Sequence, residues 1–327
     1  MKVGDLRQKL LRKTGEKLHG KWVYLEAPSD GFRDLDLQDH SFPCYTGLNT
    51  PLEIDRFLEA VDSCVPSEYV SWIMESLQEG VKVGFHGSRK NFVLRQNNAS
   101  ALERPCIVDD LLVSEVRNGF ILGPFLEAPV ISEGRKLLHV NALTLHEKDK
   151  FRLCFDLSGD LKGTVNSLIA DEDCSVDYAT IDHVVDCVLQ VGSGSFIAKL
   201  DLKDAFKIIP VHPEDIPLLG IKWRGLFFVA TQLVFGLRSA SRIFNNFSSA
   251  MAWILEDWLV NTAVPEDREE VAGVMLGVTV GKSLKLRDVE FRHLLDDFIF
   301  VLAPHSKSLT HQVFRSCVDM FKWFGFL

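Results

Sequence analysis

The stretch FRHLLDDFIFVLAP, Phe291 to Pro304, sets two adjacent carboxylates, Asp296 and Asp297, between apolar arms that read as β-strands. A buried carboxylate without a partner costs several kcal/mol. Any fold this chain adopts must therefore give the pair water, a turn or a cation. The arms suit a tight β-hairpin with both acids at or near its turn. The flanking Leu295 and Phe298 are bulky, where turns commonly carry Gly or Asn. Read alone, the feature is an Asp-containing hairpin turn as readily as a site.

A third acid has a similar setting. In FIAKLDLKDAF, Asp201 ends the apolar run Phe196 to Leu200. By itself it is as well explained as a strand-end residue capping the next turn. If the two strands are neighbours, the three acids converge. Hard divalent cations prefer such all-oxygen ligands, with Mg2+ keeping waters and substrate phosphates in its remaining positions. Two such ions about 3.5–4 Å apart stabilise the attacking and leaving oxygens of phosphoryl transfer.

The 327 residues are 46% hydrophobic and 25% charged, enough apolar material for a sizeable core. A net charge of -9 argues mildly against a nucleic-acid partner, since a local groove can be basic on an acidic protein. The seven cysteines form no CxxC pair, which disfavours a zinc site or disulfide framework and fits a reducing intracellular compartment. No apolar run of about 18 residues is present, so no membrane span is expected. The N-terminal MKVGDLRQKLLRKTGEKLHGKW lacks the apolar core of a secretory signal. Its basic residues could touch a phosphate backbone; a solvated surface helix or frayed tail is the simpler reading.

Helical spacing begins at TPLEIDRFLEAV, with Thr50 as N-cap and Pro51 at the first helical position. SEYVSWIMESLQEG places Val70, Ile73, Met74 and Leu77 on one face and stops at Gly80; VDDLLVSEVRNG places Val108, Leu111, Leu112 and Val116 together and stops at Gly119. Farther on, KFRLCFDLS reads as a strand, SFIAKLDLKDAFKIIPV as a strand broken midway, and PEDIPLLG as a short helix. IKWRGLFFVATQLVF reads as a hairpin turning near Arg224-Gly225. Ser239 to Leu259 and Leu309 to Phe324 read as amphipathic helices.

KLDLKDAF, LVFGLRSASRIFN and HLLDDF, in that order, resemble motifs A, B and C of reverse transcriptases. The wider wording, from SWIMESLQEGVKVGF through KFRLCFDLSGDLKGTVNSLI to SGSFIAKLDLKDAFKIIPVHPEDIPLLGIKWRGLFFVATQLVFGLRSASRIF, resembles DIRS-like (tyrosine-recombinase) retrotransposons over about residues 50–327. The resemblance implies an α+β fold with reverse-transcriptase-like fingers and palm. An antiparallel palm sheet would carry the acids, backed by the Ser239 and Leu309 helices, with the thumb absent. It implies a basic, irregular extension over 1–48, a helical segment over 49–135 packed on the fingers or partly detached, and fingers and palm over 136–327.

By the same resemblance, Asp201 and Asp296 are metal ligands and Asp297 their less directly engaged neighbour. Phe206 falls where an aromatic gate excludes the 2′-hydroxyl, though alone it reads as a core Phe. Arg152 matches the fingers arginine over the triphosphate, and Lys148 is the candidate accompanying lysine. Phe235 and Gly236 start motif B, whose turn contacts nucleotide and template, and Asn166 matches a position read as structural. The implied activity is RNA-directed DNA polymerisation with two Mg2+ ions, Mn2+ being a substitute. Its partners would be an RNA or DNA template with primer and deoxynucleoside triphosphates.

The sequence departs from the family at Leu294, where Tyr is usual, at Val234 and Ser241, where Pro is common, and in a long segment near 258–289 that reads as an insertion. The wording before Arg152 also lacks the family's Pro-rich lead into a lysine pair, which bears on Lys148. These departures keep a second reading open: an inactive retroelement-derived fragment or domesticated nucleic-acid-binding module.

Overall fold

The computed structural model describes residues 1–6, 15–18, 21–38, 50–89, 93–129, 138–159, 163–262, 273–275, 278–280, 289–304 and 307–327. Arg7, Lys9, Arg12 and Lys13, and the greater part of the segment read as an insertion, lie outside the described residues.

In chain order the helices are α1 (Asp30–Arg33), α2 (Ile54–Cys64), α3 (Ser67–Glu79), α4 (Ala99–Leu102), α5 (Pro105–Arg117), α6 (Ile181–Val191), α7 (Ala240–Thr262) and α8 (Lys307–Trp323). The strands are β1 (Gly15–Leu18), β2 (Lys21–Tyr24), β3 (Val93–Leu94), β4 (Ile121–Phe125), β5 (His139–Glu147), β6 (Phe151–Asp156), β7 (Phe196–Asp201), β8 (Gly220–Trp223), β9 (Leu226–Ala230), β10 (Gly273–Met275), β11 (Val278–Val280), β12 (Val289–Leu294) and β13 (Asp297–Leu302). Within the basic N-terminal stretch, expected as a surface helix or tail, the described segments β1 and β2 pair instead as antiparallel strands.

The chain forms two units, each drawn from three separate stretches. The first comprises Met1–Thr50, Ser76–Ser175 and Ile209–Ala240. Its mixed sheet runs β3-β5-β8-β9-β4, with β6 also paired to β5. β8 and β9 turn at Arg224 (φ 49) and Gly225 (φ 82), the two consecutive left-handed residues that a tight hairpin twist requires. Every residue of β9 is buried. Arg224 is buried too, because its guanidinium is answered by Asp109 of α5, 2.7 Å from Nε and 3.0 Å from Nη2. Asp109 also accepts from the Trp223 indole (2.8 Å) and the Ser29 amide (2.9 Å), while Arg224 donates to the Glu26 carbonyl. A buried charge pair survives only when its remaining polar atoms are satisfied in this way.

The second unit comprises Pro51–Glu75, Val176–Ile208 and Ser241–Leu327. Its antiparallel sheet has the order β12-β13-β7. Strand alternation divides the sheet into two faces. One carries His293, Phe298 and Phe300 with Leu200, and is covered by helices. Phe298 meets Phe321 of α8 edge-on with centroids 4.7 Å apart, Phe300 meets Phe314 at 5.5 Å, and Ser249 of α7 lies 3.3 Å from His293 Nε2. α7 and α8 thus pack on this face of the sheet.

Helix α2 starts at Ile54, not at Pro51 with Thr50 as its cap. The reason is a tertiary hydrogen bond: the Glu53 amide, which a cap at Thr50 would need, donates instead to the Phe324 carbonyl at 3.1 Å. Phe57 of α2 packs edge-on against Phe324 and Phe326. α2 thus belongs to the unit that carries the acids.

Candidate active site

β12 and β13 are joined by only two residues, Leu295 and Asp296. Leu295 holds φ 54, a region a branched side chain seldom enters and which costs about 1–2 kcal/mol. Such strain persists where the surroundings over-determine it, and it clusters at sites. Here the turn is tied down by the next strand: the Leu202 amide donates to the Asp296 carbonyl at 2.8 Å.

The register then gathers the acids. β13 runs antiparallel to β7 with Asp297 directly opposite Asp201. Opposed residues share a sheet face with Cβ atoms about 4.5–5.5 Å apart. Asp201, Asp296 and Asp297, separated by nearly a hundred residues in the chain, thus come together at one end of the three-stranded sheet. Like charges directly opposite are destabilising, so the arrangement calls for a cation.

A lysine of the same strand supplies one. Lys199 Nζ lies 2.7 Å from Asp297 Oδ2, and the pair raises the Lys199 pKa. The other oxygen, Asp297 Oδ1, is buried with no hydrogen-bond partner. Burial pushes the Asp296 carboxyl up from its ordinary range, and the neighbouring charges of Asp297 and Asp201 push the same way. Each observation describes carboxylates short of positive charge. Sequence reasoning passed over Lys199, although its i−2 spacing from Asp201 places it on the acid face.

The donor set fits Mg2+ in kind: all oxygens, with one of them buried and unanswered. Among the described residues no three His, Cys, Asp or Glu side chains form a ready-made metal cluster. Mg2+ is commonly held by one or two carboxylates, with waters and substrate phosphates completing its shell.

Phe206 lies in a short 3₁₀ turn, Ala205–Ile208, that follows Asp201. Its ring is half-buried and meets Phe244 of α7 edge-on at 5.9 Å. That contact is what the plain core reading of Phe206 expects, and it holds the ring five residues beyond the end of β7.

The remaining candidates belong to the other unit. Arg152 sits on β6 opposite His146, and Lys148 is exposed in the turn joining β5 to β6. Phe235 and Gly236 form a turn docked on β6, the Phe155 amide donating to the Phe235 carbonyl at 2.9 Å. Gly236 holds φ 102, and a Cβ there would collide with the Phe155 carbonyl oxygen. Asn166 grips the turn from the other side. Its Nδ2 donates to the Gly236 carbonyl at 2.7 Å and its Oδ1 accepts from the Arg238 amide at 2.9 Å. The Arg238 guanidinium in turn pairs with Asp171.

No family model and no curated protein matches the chain. Among solved structures it is similar to the foamy viral protease-reverse transcriptase in complex with double-stranded DNA, at 13% identity and TM-score 0.46, over 95% of this chain and 49% of that one. It is also similar to the same protein in complex with an RNA/DNA hybrid, at 11% identity and TM-score 0.44, over 84% of this chain and 32% of that one. A selenomethionine-labelled CSH mutant of the Prototype Foamy Virus protein matches at 12% identity and TM-score 0.44, over 85% and 33%. The chain spans about half the length of the first of these, or less of the others.

Proposed function

We propose that this chain is the fingers and palm portion of an RNA-directed DNA polymerase from a DIRS-like retrotransposon. The observation that carries the reading is the register of β7 and β13, which sets Asp201 opposite Asp297 with Asp296 in the adjoining turn. These are the acids that the ordered motifs single out, and they share one end of one sheet.

In this reading Asp201 and Asp296 hold two Mg2+ ions, or Mn2+ in their place, with Asp297 beside them. The ions would supply charge neutralisation at the triphosphate and a more acidic primer 3′-hydroxyl. Arg152 and Lys148 add positive charge against the triphosphate, which matters most as charge develops in the transition state. The Phe206 ring excludes a ribose 2′-hydroxyl, which selects deoxynucleoside triphosphates. The Phe235-Gly236 turn presents backbone to nucleotide and template. Base pairing between an RNA or DNA template and the incoming nucleotide sets the sequence.

A second reading, a folded module that binds nucleic acid without extending a primer, is favoured by Leu294 in place of the usual Tyr. Primer extension on an RNA template with Mg2+ and then Mn2+, run beside Asp296→Asn, separates the two. Deoxynucleotide incorporation that vanishes in the variant establishes the polymerase. Retained binding of template-primer with no incorporation by either protein establishes the module.

A further inference from the structure

Lys199 has a place in the acid cluster that the proposed reaction does not use. It stands on the same face of β7 as Asp201, two residues earlier, and on the diagonal from Asp297. Its ammonium lies 2.7 Å from Asp297 Oδ2 although more than half of the lysine side chain remains exposed. The other cation on this face, Arg292 of β12, is engaged elsewhere: its Nη1 donates to the Phe291 carbonyl at 2.7 Å and lies 3.5 Å from Glu290. Asp297 Oδ1 meanwhile stays buried and unanswered, so the lysine covers only half of the carboxylate.

We propose that Lys199 is the resident counter-ion of the acid cluster, and that a divalent cation binds by competing with its ammonium for the charge of Asp297. The proposal rests on the reading of these acids as a cation site. An exposed lysine on a flexible stem is suited to the part, since it can swing into water without leaving a buried charge behind. The ammonium keeps Asp201 and Asp297 from facing each other unneutralised when no metal is present. It also sets a threshold: a cation must displace or outweigh one positive charge before it occupies the acids.

The test is Mn2+ binding to the whole chain without nucleic acid, measured by calorimetry, with thermal midpoints in EDTA and in Mn2+. Wild type is compared with Lys199→Met, which keeps the apolar stem and drops the charge, and with Lys199→Arg, which keeps the charge. Lys199→Met should bind Mn2+ roughly three- to tenfold more tightly than wild type, the size expected for removing one like charge near a partly exposed site. It should melt lower than wild type in EDTA and regain the difference in Mn2+, while Lys199→Arg stays close to wild type in both. Equal Mn2+ affinity in wild type and Lys199→Met would overturn the competition and leave the cation site standing. Binding unchanged by Asp297→Asn would likewise overturn the competition, whereas Mn2+ binding by neither protein, or binding unchanged by Asp296→Asn, would overturn the cation-site reading and this proposal with it.

Discussion

Asp201 and Asp297 stand opposite one another on adjacent antiparallel strands, the last residue of β7 against the first of β13. A like-charged pair in that register works against folding by about 0.2–1 kcal/mol. Lys199 already relieves part of that repulsion, so Asp201→Asn should stabilise the metal-free protein by at most that amount in urea unfolding while abolishing primer extension. A variant both less stable and inactive would mean that Asp201 serves the fold rather than a cation.

Gly236 and Asn166 form a second coupled pair. Gly236→Ala places a methyl group against the Phe155 carbonyl at a left-handed φ, and should destabilise by about 2 kcal/mol or more. Asn166→Ala removes the acceptor for the Arg238 amide and the donor to the Gly236 carbonyl, and should cost about 1–3 kcal/mol. Because both act on one turn, the double variant should lose less than the sum. Strict additivity in urea unfolding would show that Asn166 does not hold this turn.

The acids were legible because their setting is local. Asp201 ends the run FIAKL and Asp296-Asp297 part the arms FRHLL and FIFVL, so each acid marks a strand end within a short stretch of sequence. The stops at Gly80 and Gly119 were legible for the same reason, each glycine holding positive φ at a helix end. The partner of Lys199 was hidden because it depends on the register of β7 with β13, almost a hundred residues apart. The role of Asp109 was hidden further still. Within VDDLLV it reads as one polar residue of an amphipathic helix, and its partners Trp223 and Arg224 lie more than a hundred residues away. The Thr50 cap failed on a single backbone bond from Glu53 to Phe324, which no local preference encodes.

The Asp109–Arg224 pair gives the sharpest stability test. Both side chains are buried, and beyond the pair Asp109 accepts two further hydrogen bonds, from the Trp223 indole and the Ser29 amide. Asp109→Asn leaves a buried guanidinium without its counter-charge and should cost about 3–5 kcal/mol in urea unfolding. Replacing both members with apolar residues of similar volume, Asp109→Leu with Arg224→Met, should recover a large part of that loss. A single-variant cost below about 1 kcal/mol would mean that water reaches the pair.

Two histidines, the buried His139 and the half-buried His293, set the expected response to acid. Burial lowers the pKa of His293, and burial with the nearby Arg95 and Arg89 lowers that of His139. The unfolded chain, with its histidines near about 6.5, then binds more protons than the folded one between that value and the depressed folded pKa. Stability therefore rises with pH across this window. It is fully present above the unfolded value and is lost as pH falls through it toward the folded pKa. Urea midpoints should drop between pH 7.5 and pH 5, and His293→Gln should flatten part of the slope. Proton resonances of either ring titrating at or above the unfolded value would remove that histidine from the account and require carboxylates to explain any acid sensitivity.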